Sequence, residues 1–531
     1  MKKTILTISL AGLITGAWAQ QDPTAMKYAP IISADLAKKH LSIIASDEYE
    51  GRETGKPGAD KAAHYIADEF KALGLQPIVN GSYFFDVAVV QNDFKLNQFA
   101  LNSMPLTVGK DFTAFAGTGT KKIAAKDIVF VGYGIGAGNY DDLKGVDITG
   151  KVVMYFASGE PMNNGVSKIT GTSTPSDWSG PRSRKRQAYI LSKNPLLMIA
   201  VSAQNPGLGN GSGRANTGAR ELPMALKKDG PAAPITITVP EATAEMILKG
   251  SGKTVADMKA ALNAGTPQSQ TIKADITVEY ETREIPVKAV DVLGFLPGSD
   301  PKLKDEVLVI SGHYDHIGLV RDPNAIDKVN NGADDDGSGT TGIMEIARAF
   351  SQAAKDGHGP RRSILFLGNV GEEKGLLGSE YYTDHPVIPL EKTIADLNID
   401  MIGRVGYEYI GKPDSANYVY VIGSSMLSTD LHNAGEKANN TYTKLDLDYK
   451  YDDPNDPNRF YYRSDHYNFA KHNVPIIFYF NGVHDDYHRP GDEVSKINFP
   501  LLAKRAQLVF YTAWDLVNAD KRPVVDGKNN R

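Results

Sequence analysis

Apolar residues recur at helical spacing near the start of the chain, then give way to short strand-like runs. Leu36, Leu41, Ile43 and Ile44 mark one face of a helix over 33–46, with Ser33 placed to cap it. Ala62, Ala63, Ile66, Ala67, Phe70 and Leu73 mark a second helix over 59–73, which Gly74 stops. The breaker-rich stretch 50–58 between them reads as a loop. From about Asn92 to Glu284 the chain is rich in Gly, Ser, Thr and Pro, with β-runs at 127–131, 151–156 and 235–239. From Val290 the strand and helix patterns alternate again. Strands at 307–310, 364–367, 395–399 and 476–480 are interspersed with helices such as 341–350 and 501–517. That alternation predicts an α/β fold with a mostly parallel sheet. The simplest organisation is one α/β domain, residues 26–95 and 287–522, interrupted by a β-rich insertion whose core runs over about 110–260.

Composition narrows the chemistry. The 531 residues are 41% hydrophobic and 23% charged, enough for a sizeable core. A net charge of −5 speaks against a nucleic-acid partner, which would favour a basic chain. There is no cysteine, so disulfides, thiol catalysis and thiolate metal sites are excluded. Any metal must be held by His, Asp and Glu. The N-terminus has Lys2 and Lys3, an apolar stretch from Ile5 to about Ile14, and Ala17-Trp18-Ala19. That is the pattern of a signal peptide over 1–19, so a periplasmic or secreted protein is expected. No cysteine follows the cleavage site, so no lipid anchor is expected. No later apolar run reaches the ~18 residues a membrane span needs.

The polar residues of the second half fall into one grammar, an apolar strand followed by a polar loop. His313 lies in Ser-Gly-His-Tyr-Asp-His-Ile-Gly (311–318), and an acidic loop Asn-Gly-Ala-Asp-Asp-Asp-Gly-Ser-Gly (331–339) leads into a helix. Glu372 and Glu373, then Asp400, then Tyr487 and His488 follow three further strands. In an open parallel sheet the carboxyl ends of the strands line one crevice, so these residues meet. Two imidazoles and several carboxylates suit divalent ions in a thiol-free protein. Five ligands exceed what one tetrahedral catalytic zinc uses, and fit two ions sharing a carboxylate. None of the 11 histidines lies between 92 and 284, so the insertion holds no His-based metal site.

Five of these segments, in order, resemble the co-catalytic zinc exopeptidases, the group that includes bacterial aminopeptidases and glutamate carboxypeptidase II. They are His-x-Asp, Gly-Ala-x-Asp-x-x-Ser-Gly, Glu-Glu-x-Gly-x-x-Gly-Ser, Asn-x-Asp-Met-Ile-Gly and Tyr-His. The resemblance covers 33–75 and about 290–517 and implies a three-layer αβα catalytic domain. It implies two Zn2+ ions, with His313 and Asp400 on one, Glu373 and His488 on the other, and Asp335 between them. Asp334 and Asp336 offer near-identical chemistry to Asp335, so the register within the triplet stays open. The family's cis peptide would fall at Asp335–Asp336. Glu372 is implied as general base for a water held between the ions, Asp315 as the carboxylate that orients a metal ligand, and Tyr487 as an oxyanion donor. Arg463 is implied as a substrate-side arginine, with Asp465 and His466 supporting. The insertion, with Asp127–Gly134, Tyr140–Gly145 and Asp147–Val153, resembles a protease-associated domain, which caps the cleft or selects substrates.

The implied activity is removal of N-terminal residues from peptides. A carboxypeptidase or dipeptidase would use the same scaffold and need a basic pocket, for which Arg182–Arg186 is a candidate. A single-zinc glutaminyl cyclase and an inactive binding protein are further alternatives. His316, His466 and His484 read as neighbours of the site rather than ligands. The Gly250–Thr254 stretch mimics a P-loop but lacks its first glycine.

Overall fold

A computed structural model describes residues 21–115, 119–179, 185–203, 222–227, 234–265, 267–453 and 455–527. The chain divides into two compact units, Met1–Val89 with Val287–Arg531, and Val90–Pro286. The expected leader, residues 1–19, lies outside the described residues, as do residues 182–184 of the basic cluster. No helix among the described residues is long and apolar enough to cross a membrane.

The first unit is built on an eight-stranded sheet. Its strands are β1 (Phe84–Asp86), β2 (Val290–Leu296), β3 (Val307–His313), β4 (Ser363–Asn369), β5 (Thr393–Ile399), β6 (Tyr418–Ile422), β7 (Asp446–Asp448) and β8 (Ile476–Phe480). They lie in the order β1-β2-β4-β3-β5-β8-β6-β7. The central strands β4, β3, β5 and β8 run parallel, while β1, β2 and β6 pair antiparallel with their neighbours. Four strand ends therefore open on one edge, where loops carry the polar residues.

Central strands buried on both faces read as continuous apolar runs. Phe366 of β4 packs on one face against Phe70, with ring centroids 6.3 Å apart. Leu365 and Leu367, on the other face, join Tyr382 and Phe469 in one apolar cluster. Helices α1 (Ala34–Ile44), α2 (Pro57–Leu73), α3 (Gly337–Lys355) and α6 (Phe499–Asn518) pack on one another and on the sheet, and α4 (Leu377–Asp384) and α5 (His466–Lys471) form the opposite layer. Ser33 caps α1, its hydroxyl accepting from the Leu36 N–H at 3.3 Å. Gly74, at φ +84°, ends α2.

Two elements are longer than their patterns predict. β3 continues past residue 310 through Ser311-Gly312-His313, because ladder pairing with Leu367, Gly368 and Asn369 overrides the turn-like composition. α3 starts at Gly337 rather than near 341. The Asp336 carboxylate accepts from the Gly339 N–H at 2.9 Å and caps it. A Cβ at Gly339 would stand 2.4 Å from the Ile399 carbonyl oxygen, so the helix start needs glycine to reach the sheet.

The second unit carries a nine-stranded sheet among its described residues, and its strands extend beyond 110–260 at both ends, over Val89–Leu101 and Gln270–Val287. At its centre Val152–Phe156 runs parallel to Lys121–Phe130 and Leu197–Ser202. Thr254, where the P-loop mimic ends, is the N-cap of helix Val255–Asn263. Arg186 is buried and donates to the carbonyls of Phe156, Gly159 and Trp178, so it is a packing cation of this unit rather than a solvated one.

His466 is sealed between the layers. Its imidazole stacks on Phe478 of β8, with centroids 4.6 Å apart, and Nε2 lies 2.9 Å from the Tyr461 carbonyl oxygen. Burial pushes its pKa down to about 3 against the slight opposing pull of that carbonyl. The folded state therefore holds it neutral while the unfolded state takes up a proton below about pH 6.5. Stability from this residue is complete above that pH and is lost as pH falls, by about 2 kcal/mol at pH 5. Thermal melts from pH 7 to 5 should fall less steeply for His466→Gln than for the parent chain. Parallel slopes would show that the buried imidazole carries no such linkage.

Candidate active site

A buried arginine from outside the sheet holds the loops of this edge in place. Arg52 is fully buried, and all of its guanidinium nitrogens donate to main-chain oxygens. Nε reaches Tyr314 at 2.7 Å, Nη1 reaches Ile44 at 2.9 Å and Asn331 at 2.6 Å, and Nη2 reaches Gly332 at 2.8 Å. The His316 N–H and the Gly318 N–H donate back to the carbonyls of Arg52 and Gly51. Gly51, at φ +66°, has no room for a side chain, since a Cβ would lie 2.4 Å from the Asn330 oxygen. The segment read as a plain loop is thus a clamp on the turn after β3 and on the acidic loop before α3.

That acidic loop resolves its triplet by hydrogen bonding. The Asp334 carboxylate accepts from the Gly403 N–H at 2.7 Å and from Ser338 Oγ at 3.0 Å, and lies 3.2 Å from His484 Nε2. The Asp336 carboxylate accepts from the main-chain N–H groups of Gly339 and Met401, each at 2.9 Å. Asp334 is engaged through both oxygens and Asp336 through Oδ1, its Oδ2 being buried without a hydrogen-bond partner. Asp335 faces the cleft, with Oδ1 3.5 Å from His313 Nε2 and Oδ2 3.1 Å from His488 Nε2. The peptide between Asp335 and Asp336 is cis.

The residues singled out above converge here. His313 Nε2, at the end of β3, lies 3.6 Å from Asp400 Oδ2 and 3.9 Å from Glu372 Oε2. His488 Nε2 lies 3.1 Å from Glu373 Oε2. Asp315 accepts from Thr54 Oγ1 at 2.6 Å and from the Glu372 N–H at 3.2 Å, tying the glutamate loop to the turn after β3. Its carbonyl oxygen faces His313 Nδ1 at 3.1 Å. Tyr487 stacks on His488 at 3.9 Å, and its hydroxyl accepts from Arg463 Nη2 at 3.2 Å. Asp465 is buried, and its charge helps hold the Glu372 carboxyl high. Among the described residues His484 stays a partner of Asp334, whereas His316 joins the cluster, with Nδ1 2.8 Å from Glu373 Oε1.

Two groups of ligand-capable atoms result, His313 with Glu372 and Asp400, and His316 with Asp335 and Glu373. His313 Nε2, Asp335 Oδ2 and Glu373 Oε1 are buried with no hydrogen-bond partner. In a tetrahedral shell with 2.0–2.1 Å bonds, donor atoms stand about 3.3 Å apart. The 3.1–3.6 Å separations of His313 and His488 from Asp335, Glu373 and Asp400 match that edge, so the donor set fits divalent cations.

Electrostatics follow the same geometry. Burial pushes the Glu372 carboxyl well above the usual range, and the neighbouring Glu373 and Asp400 add to this against the pull of His313. For Glu373 burial is outweighed by His316 and His488, which bring it down to about 2. For His488 burial is outweighed by Asp335 and Glu373, which raise it to about 10. Burial raises Tyr487 well above its ordinary value, so the phenol stays protonated. The cleft combines Asp335, Glu372, Asp400 and Arg463 with apolar walls from Met401, Phe460, Phe478 and Phe480.

Residues 291–513 match the model of Peptidase family M28. Aminopeptidase YwaD of Bacillus subtilis (strain 168) is 25% identical over 230 residues, 41% of this chain and 43% of that protein. A probable leucine aminopeptidase 2 of Aspergillus oryzae is 27% identical over 269 residues, 45% and 48% of the two chains. The chain spans about half the length of the curated relatives it matches. An aminopeptidase from Aneurinibacillus sp. strain AM-1 shares the fold over 95% of this chain and 98% of its own, with a TM-score of 0.50 at 17% identity.

The clamp is open to test. Lysine at position 52 brings three donors in place of the planar fork and leaves carbonyl oxygens unpaired. Arg52→Lys should cost about 3 kcal/mol in denaturant unfolding of the catalytic unit. An unchanged midpoint would show that the loops hold themselves.

Proposed function

We propose, for a chain whose residues 291–513 belong to peptidase family M28, that the protein is an exported zinc-dependent aminopeptidase that removes N-terminal residues from peptides. The observation that carries this reading is the placement of Asp335 between two imidazole–carboxylate groups, with Glu372 beside them at the floor of an open cleft. His313, Asp335 and Asp400 would hold one zinc ion, and Asp335, Glu373 and His488 the other. When bound, the pair supplies Lewis acidity to the scissile carbonyl and to water.

The chain's own groups account for the remaining steps. Glu372 takes the proton of the attacking water on a carboxylate oxygen and delivers it to the leaving amine. Asp315 is a positioning residue, holding the Glu372 main chain and facing His313 with its carbonyl. Tyr487 donates to the carbonyl oxygen as it gains charge. Arg463 occupies a lone pair of that hydroxyl, which leaves the phenolic proton free to point into the cleft. The Phe460, Phe478 and Phe480 walls receive an apolar side chain, and Asp400 and Glu372 attract the substrate's ammonium. The unit Val90–Pro286 is read as a protease-associated domain with no share in the chemistry.

One observation favours a second reading. Arg463 brings a cation to the cleft, and a cation there also suits a substrate α-carboxylate. A panel of aminoacyl-anilides and N-blocked peptides separates the two. Cleavage of free-amine substrates only, abolished by chelator and restored by zinc, is the expected result. Trimming of N-blocked peptides from the carboxyl end would overturn the aminopeptidase assignment in favour of a carboxypeptidase. Glu372→Gln should lower kcat by about 10³-fold while both ions remain bound. Near-normal kcat in that variant would remove Glu372 from the proton-transfer role.

A further inference from the structure

Two imidazoles face the carboxylates on the Glu373 side of the cleft. His488 approaches from the loop after β8. The other, His316, lies three residues beyond His313 and is fully buried. Its Nδ1 stands 2.8 Å from Glu373 Oε1 and 3.7 Å from Asp335 Oδ2. A separation of 2.8 Å is that of a hydrogen bond, yet neither Nδ1 nor Glu373 Oε1 has a hydrogen-bond partner. The two atoms are close without being aimed at each other. Asp335 Oδ2, the third atom of the group, is unpartnered as well. Buried polar atoms in that relation converge on a common point, and desolvation makes them costly if nothing occupies it.

The fold keeps this ring where it is. The His316 N–H donates to the Arg52 carbonyl at 3.1 Å. A Cβ at Gly332 would stand 2.5 Å from the imidazole, so the acidic loop packs directly on it. The His316 and His488 rings meet edge-on, with centroids 5.8 Å apart and planes at 73°. They therefore present nitrogen to the same two carboxylates from different directions. The distances of 2.8–3.7 Å among Nδ1, Asp335 and Glu373 bracket the ~3.3 Å edge of a tetrahedral shell.

We infer that His316 is a direct ligand of the ion held by Asp335, Glu373 and His488, and this inference rests on the two-ion reading above. The ion pair is then unequal. One ion has two imidazoles and two carboxylates, whereas its partner at His313, Asp335 and Asp400 has one imidazole and two carboxylates. Nitrogen-rich sites favour zinc over harder cations, so the His316 ion is the tightly held one and its neighbour the exchangeable one.

The full chain, labelled with 15N at histidine and loaded with 113Cd, gives a direct readout through 15N–113Cd couplings. Three coupled histidines are expected. His316→Gln should keep the other two couplings and lower the affinity for the tighter ion by about 10–100-fold in chelator competition. Two bound cadmium ions with only two coupled histidines in the parent chain would make His316 a hydrogen-bond partner of Glu373 and overturn the inference, leaving the two-ion reading intact. Failure of the parent chain to take up two ions would overturn both. The parent-chain couplings decide the matter even if the variant does not fold.

Discussion

The buried guanidinium of Arg52 is the contact on which the site geometry depends. It collects carbonyl oxygens from the end of α1, from the turn after β3 and from the loop before α3, segments that the Asn330 and Asn331 side chains also tie together through Gly318, Ala45 and Asp47. Burying a cation is costly, and burial does pull its pKa down. The opposing contribution comes from Asp335, Asp336, Asp492 and Asp315, all close by. The clamp and the acidic edge therefore stabilise one another. Without the arginine the acidic loop would lose both its anchor and part of its charge balance, and without the acids the arginine would be an unpaired buried charge.

Much of this was legible in the sequence because strand ends in a parallel sheet gather by topology. Knowing that His313, Asp400 and His488 follow strands was enough to bring them to one edge. The acidic triplet was not legible, since three adjacent aspartates differ only in what their main-chain neighbours offer. Asp334 and Asp336 accept from N–H groups of Gly403, Gly339 and Met401, contacts made across 69 and 65 residues for the Gly403 and Met401 partners. The place of His316 in the cluster is illegible for a related reason. Spacing alone does not say which way a ring turns in a loop, and only the packing of Gly332 against it settles that direction. Its one sequence signal was a second histidine three residues after the first.

Backbone conformation adds a layer that composition does not encode. Met401 and His488 both adopt positive φ, at 58° and 56°, next to Asp400 and within the Tyr-His pair. Positive φ is uncommon outside glycine, less so for histidine than for methionine, and each such position costs of order 1 kcal/mol or more. Both carry or adjoin a residue of the cleft, so the cost is paid where side-chain direction matters most.

The hairpin of β1 and β2 has a consequence for how the two units coexist. Asp86 pairs with Val290, and the Val87 N–H donates to the Ala289 carbonyl at 2.9 Å. The chain thus leaves the first unit and re-enters it across a single rung of a ladder, where another protein would place a tight turn. Loop-closure entropy grows only with the logarithm of length, so exchanging a turn of a few residues for some two hundred raises that cost by about 3 kcal/mol. The hairpin is in effect a socket. The rung that closes the excursion belongs wholly to the first unit, so the register of β1 on β2 is set by residues of that unit alone.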